Sequence, residues 1–104
     1  MKLKKWAKDR PPTAKELEDA LKKEGLDFYR WRDGTGTTYP WHTHTHGEVR
    51  WVISGSIKMG LRDEREIILN PGDRLDLPAN TEHWAKVLRN EPVVYLCASK
   101  EKED

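Results

Sequence analysis

The segment from residue 36 to 55 constrains the fold of this chain more than any other part of the sequence. A glycine stands at each end of it, and His42, His44 and Glu48 lie between them. In an extended strand the side chains at positions i and i+2 point to the same face, so His42 and His44 can present two imidazoles to one point. Imidazole is a good ligand for divalent transition metals. The spacing therefore predicts a metal site on a β-strand.

A turn must follow these histidines if Glu48 is to reach the same point. Gly47 comes directly before Glu48, and we expect it to take a positive φ that lets the chain reverse into the next strand. His83 is a fourth potential ligand, far downstream. Because it belongs to a later strand, the site is complete only in the finished fold. Three imidazoles and one carboxylate would leave an octahedral ion two open positions.

The spacing of these residues resembles the first conserved motif of the cupin superfamily. That motif places a glycine, His-x-His, a glutamate and a second glycine at fixed intervals. This chain fills every position with the right gaps: Gly36, His42, His44, Glu48 and Gly55. The resemblance covers roughly residues 34 to 99. Five fixed positions at correct spacing are far more specific than a lone short pattern.

The second cupin motif is matched with two departures. Gly72, Pro78 and His83 fit it, whereas Asn80 stands where glycine is usual and Val87 where asparagine is usual. Neither departure affects a ligand. Asparagine tolerates the left-handed backbone conformation better than most other residues, so we expect Asn80 to make the turn.

The resemblance implies an all-β fold, a double-stranded β-helix or jelly-roll barrel, to which the sequence itself adds a short N-terminal helix. It also implies one divalent transition metal, namely iron, manganese, nickel or zinc. The implied ligands are His42, His44, Glu48 and His83, and Glu48 is also the candidate catalytic residue. Strand alternation would place His46 on the face of His42 and His44, but the motif places it in the turn. We interpret His46 as a loop residue and keep ligation as the alternative.

A short helix is predicted before the barrel. Thr13 and Glu16 have the spacing of a capping box, in which each side chain bonds the other's free backbone amide. Leu17 and Leu21 lie four residues apart and form a narrow apolar stripe, and Gly25 supplies the C-cap. A helix so short and polar is not stable alone. We expect it to lie on the outside of the barrel or across a partner subunit.

From residue 27 onward, short runs of β-branched and aromatic residues alternate with turn signals. They predict eight strands, near 27–32, 37–44, 47–53, 56–61, 65–69, 73–77, 82–89 and 92–99. The predicted organisation is a basic tail, helix and first strand that pack on the barrel (1–33), the barrel itself (34–99) and a charged C-terminal tail (100–104). Within the first part, residues 1–10 are interpreted as a solvated tail rather than a nucleic-acid-binding arm.

The period of the third of these segments, 47–53, adds a candidate substrate-binding residue. If Glu48 points into the barrel, Arg50 points inward as well. A buried guanidinium is costly without an anionic partner. We hypothesise that Arg50 binds the carboxylate or other anionic group of a small chelating substrate. The alternative is a salt bridge to Glu48 or to an acidic side chain on a neighbouring strand, such as Asp76.

Three tryptophans, Trp41, Trp51 and Trp84, alternate away from the ligands and are predicted to share the face opposite the metal. That face would form a dimer interface or pack beneath the helix, and both interpretations stay open. Cys97, the only cysteine, alternates with Tyr95 on the last strand. We interpret it as a small buried apolar residue rather than a nucleophile, and a single cysteine excludes an internal disulfide.

Composition and family resemblance together bound the function. The chain has 19 basic and 18 acidic side chains, a net charge of +1, which does not suggest a nucleic-acid partner. Its basic start runs into more charge without an apolar stretch, so we expect no export or membrane segment and a cytoplasmic location. The resemblance implies a dioxygenase-like, metal-dependent oxidoreductase, usually a homodimer, with a small-molecule substrate. The alternatives are a non-catalytic metal or small-ligand sensor and a cupin isomerase or lyase.

Overall fold

The structure is a computed structural model that describes residues 1–88 and 90–100. Within these residues the chain forms one helix and nine strands. The helix, α1, is Ala14–Lys23. The strands are β1 Lys2–Lys4, β2 Phe28–Asp33, β3 Thr38–His42, β4 Gly47–Ser54, β5 Ile57–Leu61, β6 Glu66–Leu69, β7 Arg74–Leu77, β8 His83–Val87 and β9 Val93–Lys100.

The strands form two antiparallel sheets. One sheet has five strands in the order β1-β7-β4-β9-β2, and the other has four in the order β3-β8-β5-β6. Their inner faces share one core, in which Val52 and Tyr95 of the larger sheet are buried with Met59 and Ala85 of the smaller one. The predicted all-β, double-stranded β-helix fold is confirmed. No helix in the described ranges is long and apolar enough to cross a membrane.

The helix covers the outer face of the larger sheet. The predicted capping box is present, since the Thr13 amide donates to Glu16 Oε2 at 2.7 Å and the Glu16 amide donates to Thr13 Oγ1 at 3.2 Å. Leu17 and Leu21 are fully buried against β4 and β9. The C-cap residue is Glu24 rather than Gly25, which follows it with a φ of 76°. The helix therefore closes a second, smaller core outside the barrel.

Residues 1–10 are not the solvated tail that the sequence predicted. Lys2–Lys4 form β1 and pair with β7. The Trp6 amide donates to Asp73 Oδ1 at 2.8 Å, and Lys5 Nζ donates to Asp73 Oδ2 at 2.7 Å. Trp6 also packs onto Gly72, where an added Cβ would lie 2.3 Å from the indole. These contacts, which depend on the folded barrel, hold the segment against the sheet.

The predicted strand boundaries lie within one residue of the observed ones, except at the ends of β3 and β8. β3 ends at His42 instead of residue 44, and its register shifts between Tyr39 and His42, around Pro40. The strand predicted over 82–89 ends at Val87, and residue 89 lies outside the described residues. Lys100, predicted to begin a charged tail, ends β9, while residues 101–104 lie outside the described part of the chain.

The three tryptophans do not share one apolar surface. Trp51 packs with the helix cluster on the outer face of the larger sheet, and its Nε1 donates to the carbonyl of Gly72 at 2.9 Å. Trp41 and Trp84 belong to the smaller sheet and line a groove with Gly60. Because their strands lie in different sheets, alternation alone could not place them together. Packing beneath the helix is therefore the correct interpretation for Trp51 only.

Candidate metal centre

Three histidines meet at one end of the inner face. His42 of β3 and His83 of β8 are register partners, and their ring centroids are 4.2 Å apart. His44 lies in the loop that follows β3, and its carbonyl accepts the amide of Asn80 at 2.7 Å. Asn80 has a φ of 63°, as predicted for the residue that replaces the motif glycine. The turn before β8 therefore fixes both His83 and the loop that carries His44.

Backbone carbonyls set the orientation of two of these imidazoles. The Nδ1 atom of His42 lies 2.6 Å from the carbonyl oxygen of Pro40, and Nδ1 of His83 lies 2.8 Å from that of Thr81. A carbonyl only accepts hydrogen bonds, so each Nδ1 carries the proton and each Nε2 presents a lone pair. The buried Nε2 atoms of His44 and His83 have no hydrogen-bond partner within residues 1–88 and 90–100.

The ligand atoms form two overlapping groups. Nitrogens of His42, His44 and His83 lie within 4.8 Å of one another, and a second group at the same spacing joins His44, His46 and Glu48. Glu48 Oε2 lies 3.3 Å from His44 Nε2, although not in hydrogen-bond geometry. Three of the four predicted ligands thus form one triad. Glu48, the fourth, belongs to the second group, which shares His44 with the triad. His46 is a loop residue, and its role as an alternative ligand stays open.

Gly47 serves the site differently from the sequence prediction. Its φ is not positive, and it is the first residue of β4. A Cβ at this position would lie 3.3 Å from the carbonyl oxygen of Leu77 and 3.4 Å from Cβ of Lys100. The glycine therefore allows β7 and β9 to approach β4 closely on both sides, and this packing holds Glu48 at the mouth of the barrel.

Arg50 points inward, as predicted, and is 9% exposed. Its Nη2 lies 3.4 Å from Glu48 Oε2, and its Nη1 donates to the Tyr95 hydroxyl at 3.4 Å. Its Nε is buried and has no hydrogen-bond partner among the described residues. The predicted alternative of a salt bridge to Glu48 is therefore present. The suggestion of Asp76 is wrong, because that residue pairs in register with outward-facing Val49.

Burial and charge set the ionisation of the site. Burial lowers the pKa of His44 and of His83 below the ordinary value of 6.5, and the nearby charge of Arg50 lowers both further. Burial also lowers the pKa of Arg50, but Tyr95, Cys97 and Glu48 outweigh it and the net shift is upward. These lowered pKa values favour the neutral imidazoles of His44 and His83 at pH 7 beside a charged guanidinium, and only neutral imidazoles bind metals.

Asp33, a buried acidic residue on the inner face, was not predicted from the sequence. Asp33 is 8% exposed and accepts hydrogen bonds from Tyr39, at 2.8 and 2.9 Å, and from Tyr95, at 3.2 Å. Asp33 precedes a glycine, which is typical of a turn residue, so no local signal marked it. The Cys97 side chain is buried, and burial raises the pKa of its thiol, which agrees with its interpretation as a packing residue.

The donor set fits a divalent transition metal. Such ions prefer imidazoles and carboxylates as ligands, and a ligating imidazole usually donates the proton of its other nitrogen to a carbonyl group or a similar acceptor. The site offers neutral imidazoles, Nδ1 atoms bonded to backbone carbonyls and a buried carboxylate. The two unpartnered Nε2 atoms would otherwise be costly to bury. The residues present are therefore compatible with His42, His44, His83 and Glu48 as ligands, which remains a prediction.

Comparison with known proteins assigns the family. The Cupin domain model matches residues 29–99, so the chain belongs to the cupin family. Among curated proteins it is similar to an acireductone dioxygenase of Exiguobacterium sibiricum, with 37% identity over 57 residues. The matched part is 51% of this chain and 32% of that enzyme, so the chain spans about a third of the relative's length.

Solved structures give a wider match to the fold. A structure of DMSP lyases is 29% identical with a TM-score of 0.66, and covers 76% of this chain and 42% of that one. A protein described as a putative mannose-6-phosphate isomerase, from Ralstonia eutropha, is 26% identical with a TM-score of 0.66. That match covers 76% of this chain and 77% of the other. Different reactions are thus named for proteins with this barrel, and the fold alone does not select one.

Proposed function

We propose that this cupin binds one divalent transition metal through His42, His44, Glu48 and His83 and acts as a dioxygenase-like oxidoreductase on a small chelating, anionic substrate. Three buried nitrogens support this most: Nε2 of His44, Nε2 of His83 and Nε of Arg50 have no hydrogen-bond partner in the part of the chain that the structure describes. Buried polar atoms are rarely left unpaired. The imidazoles are available to a cation and the guanidinium to an anion.

Each residue has a distinct proposed role. A bound metal would supply Lewis-acid activation of a chelated oxygen and, if it is iron, manganese or nickel, electron transfer. Arg50 would hold the anionic group of the substrate through Nε. Glu48 would accept the proton of a substrate enol or hydroxyl group, because its carboxylate lies on the same inner face beside His44. Burial of Glu48 and Arg50 keeps bulk water away from these steps.

Sequence similarity supports the oxidoreductase class. The curated relatives are acireductone dioxygenases, so we include acireductone among the candidate substrates. The matched part is a minor part of the relatives' length. A lyase or isomerase reaction is the second candidate, because the similar structures are described as DMSP lyases and a putative isomerase. A non-catalytic sensor would bind the same metal and anion without turnover.

Metal analysis tests the first part of the proposal. We expect protein purified without chelators to retain about one equivalent of metal, and His83→Ala to lose most of it. His46→Ala is the matched control on the same loop as His44, and we expect it to keep its metal. Equal metal content in the wild type and His83→Ala would contradict the assigned ligand set. Loss in His46→Ala would transfer the ligand role to His46.

Turnover separates the enzyme from the sensor. Protein loaded anaerobically with iron, manganese or nickel is mixed with acireductone or a small 2-oxo acid, and oxygen uptake and product are followed. Oxygen consumption that His83→Ala lacks supports the oxidoreductase. Product without oxygen uptake supports the lyase or isomerase. Tight binding without product supports the sensor.

Arg50 is tested separately from the metal. We expect Arg50→Ala to retain zinc and to lose affinity for pyruvate, a small chelating 2-oxo acid. Arg32→Ala is the control, because Arg32 is exposed on β2 and faces away from the inner side. Unchanged pyruvate affinity in Arg50→Ala would contradict the anion-binding role. The homodimer and the cytoplasmic location also remain proposals, and light scattering tests the first.

A further inference from the structure

Asp33 is a second buried carboxylate on the inner face of the barrel, and the proposed chemistry does not use it. It is the last residue of β2. The Tyr39 hydroxyl contacts both of its oxygens, at 2.8 and 2.9 Å, and Trp31 Nε1 donates to Oδ1 at 2.9 Å. The Tyr95 hydroxyl donates to Oδ2 at 3.2 Å. All these partners are donors, as an ionised carboxylate requires.

Tyr95 connects this carboxylate to Arg50. A tyrosine hydroxyl has one proton, and Tyr95 gives it to Asp33, so the same oxygen can accept Nη1 of Arg50, 3.4 Å away. The Arg50 guanidinium also lies 5.2 Å from the centre of the Tyr95 ring. Arg50 therefore faces two carboxylates, Glu48 directly and Asp33 through one hydroxyl group. A residue on β2 and another on β9 thus act on a guanidinium on β4.

These contacts determine how the charge of Arg50 is balanced. When Glu48 contributes its charge to a metal, Asp33 is the anionic group that still faces Arg50 through Tyr95. We propose that Asp33 is the standing counter-ion of Arg50 and that Tyr95 positions the guanidinium, so that together they limit how strongly Arg50 attracts a substrate anion. This inference rests on the proposed function, because it assumes that Arg50 is the anion-binding group.

The proposal predicts that removing the charge of Asp33 raises the affinity for a small anion, a direction of change that simple structural damage would not produce. Asp33→Asn removes a negative charge that competes with the ligand, so the affinity for a small anion should rise, by at least about threefold for a charge screened by the protein interior. The same variant should bind the metal less tightly, because the site loses negative charge. Tyr95→Phe breaks the hydrogen-bonded link to Asp33 and should also tighten anion binding.

The experiment uses the full chain loaded with cobalt(II), whose visible spectrum reports changes around the metal. Pyruvate is titrated into the wild type, Asp33→Asn, Tyr95→Phe and Tyr39→Phe, and cobalt affinity is measured by competition with a coloured chelator. Tyr39→Phe is the matched control: it removes both Tyr39 contacts to Asp33 but keeps the carboxylate and the Tyr95 link from it to Arg50. We expect its pyruvate affinity to stay close to that of the wild type.

Each outcome bears on the inference. Tighter pyruvate binding in both Asp33→Asn and Tyr95→Phe, but not in Tyr39→Phe, supports it. Unchanged or weaker binding in Asp33→Asn overturns it, and if that variant does not fold, the direction of change in Tyr95→Phe decides. No cobalt binding by the wild type, or pyruvate binding that does not need Arg50, would instead contradict the proposed function.

Discussion

The helix should be an integral part of the barrel's stability, and Leu21→Ala tests this directly. Leu21 is 0% exposed and packs with Leu17, Val49 and Leu96 between α1 and the outer face of the larger sheet. The isolated helix is ten residues long, too short to form in water without this packing. Shortening Leu21 therefore removes contacts on which the whole N-terminal segment depends.

The expected loss is large for one residue. Leucine-to-alanine changes in fully buried sites cost about 2–5 kcal/mol, since the lost transfer free energy adds to that of the cavity left behind. We expect a value near the middle, about 3 kcal/mol, because Leu21 is completely buried while one face of the cluster is a short helix that can partly collapse. For a domain of roughly this size that lowers Tm by roughly 12–24 °C.

Urea and thermal unfolding, followed by circular dichroism, measure the effect in the presence of a chelator so that metal does not contribute. Lys22→Ala is the matched control, because Lys22 is exposed on the same helix, and its change should stay within about 0.5 kcal/mol. A loss below about 1 kcal/mol for Leu21→Ala would refute the reasoning, since the helix would then unfold separately from the barrel.

Three further predictions concern other parts of the fold. Gly60→Ala should lower stability by about 1–3 kcal/mol and change the tryptophan fluorescence, because the new Cβ would lie 2.0 Å from Trp84 Nε1. Glu64→Gly should raise Tm slightly, because Glu64 has a φ of 69° and glycine adopts that conformation without strain. The hydrogen bond from Arg74 lowers the pKa of Glu24 from 4.5, so its contribution is present above pH 4.5 and is lost as pH falls. The stability difference between wild type and Glu24→Gln should therefore shrink in acid unfolding measurements.

Local sequence patterns predicted what depends on local geometry. The inward direction of Arg50 followed from the two-residue period of a strand that already carried Glu48. The capping box at Thr13 and the left-handed turn at Asn80 also depend only on neighbouring residues. The cupin motif then added the distant partner, His83, which no local pattern could have connected to His42.

Features that depend on tertiary contacts were not predictable in the same way. The first strand has only three residues with little β-propensity, and it forms because Trp6 and Asp73 hold the chain against the sheet. Asp33 gains its importance from Tyr39 and Tyr95, which come from different strands. Gly47 was predicted to be a turn glycine, whereas the close approach of two neighbouring strands explains it.

The position of Glu48 couples the binding of the metal to the binding of the substrate anion. Its Oε2 lies between His44 Nε2, at 3.3 Å, and Arg50 Nη2, at 3.4 Å. A metal that takes this carboxylate weakens its pairing with Arg50 and leaves the guanidinium more available to an anion. Coupling of this kind is reciprocal, so a bound anion should raise metal affinity by the same factor. Zinc titrations with and without saturating acetate measure that factor in the wild type and in Arg50→Ala. We expect tighter zinc binding with acetate only when Arg50 is present, and equal affinities in the wild type would show that Glu48 does not connect the two sites.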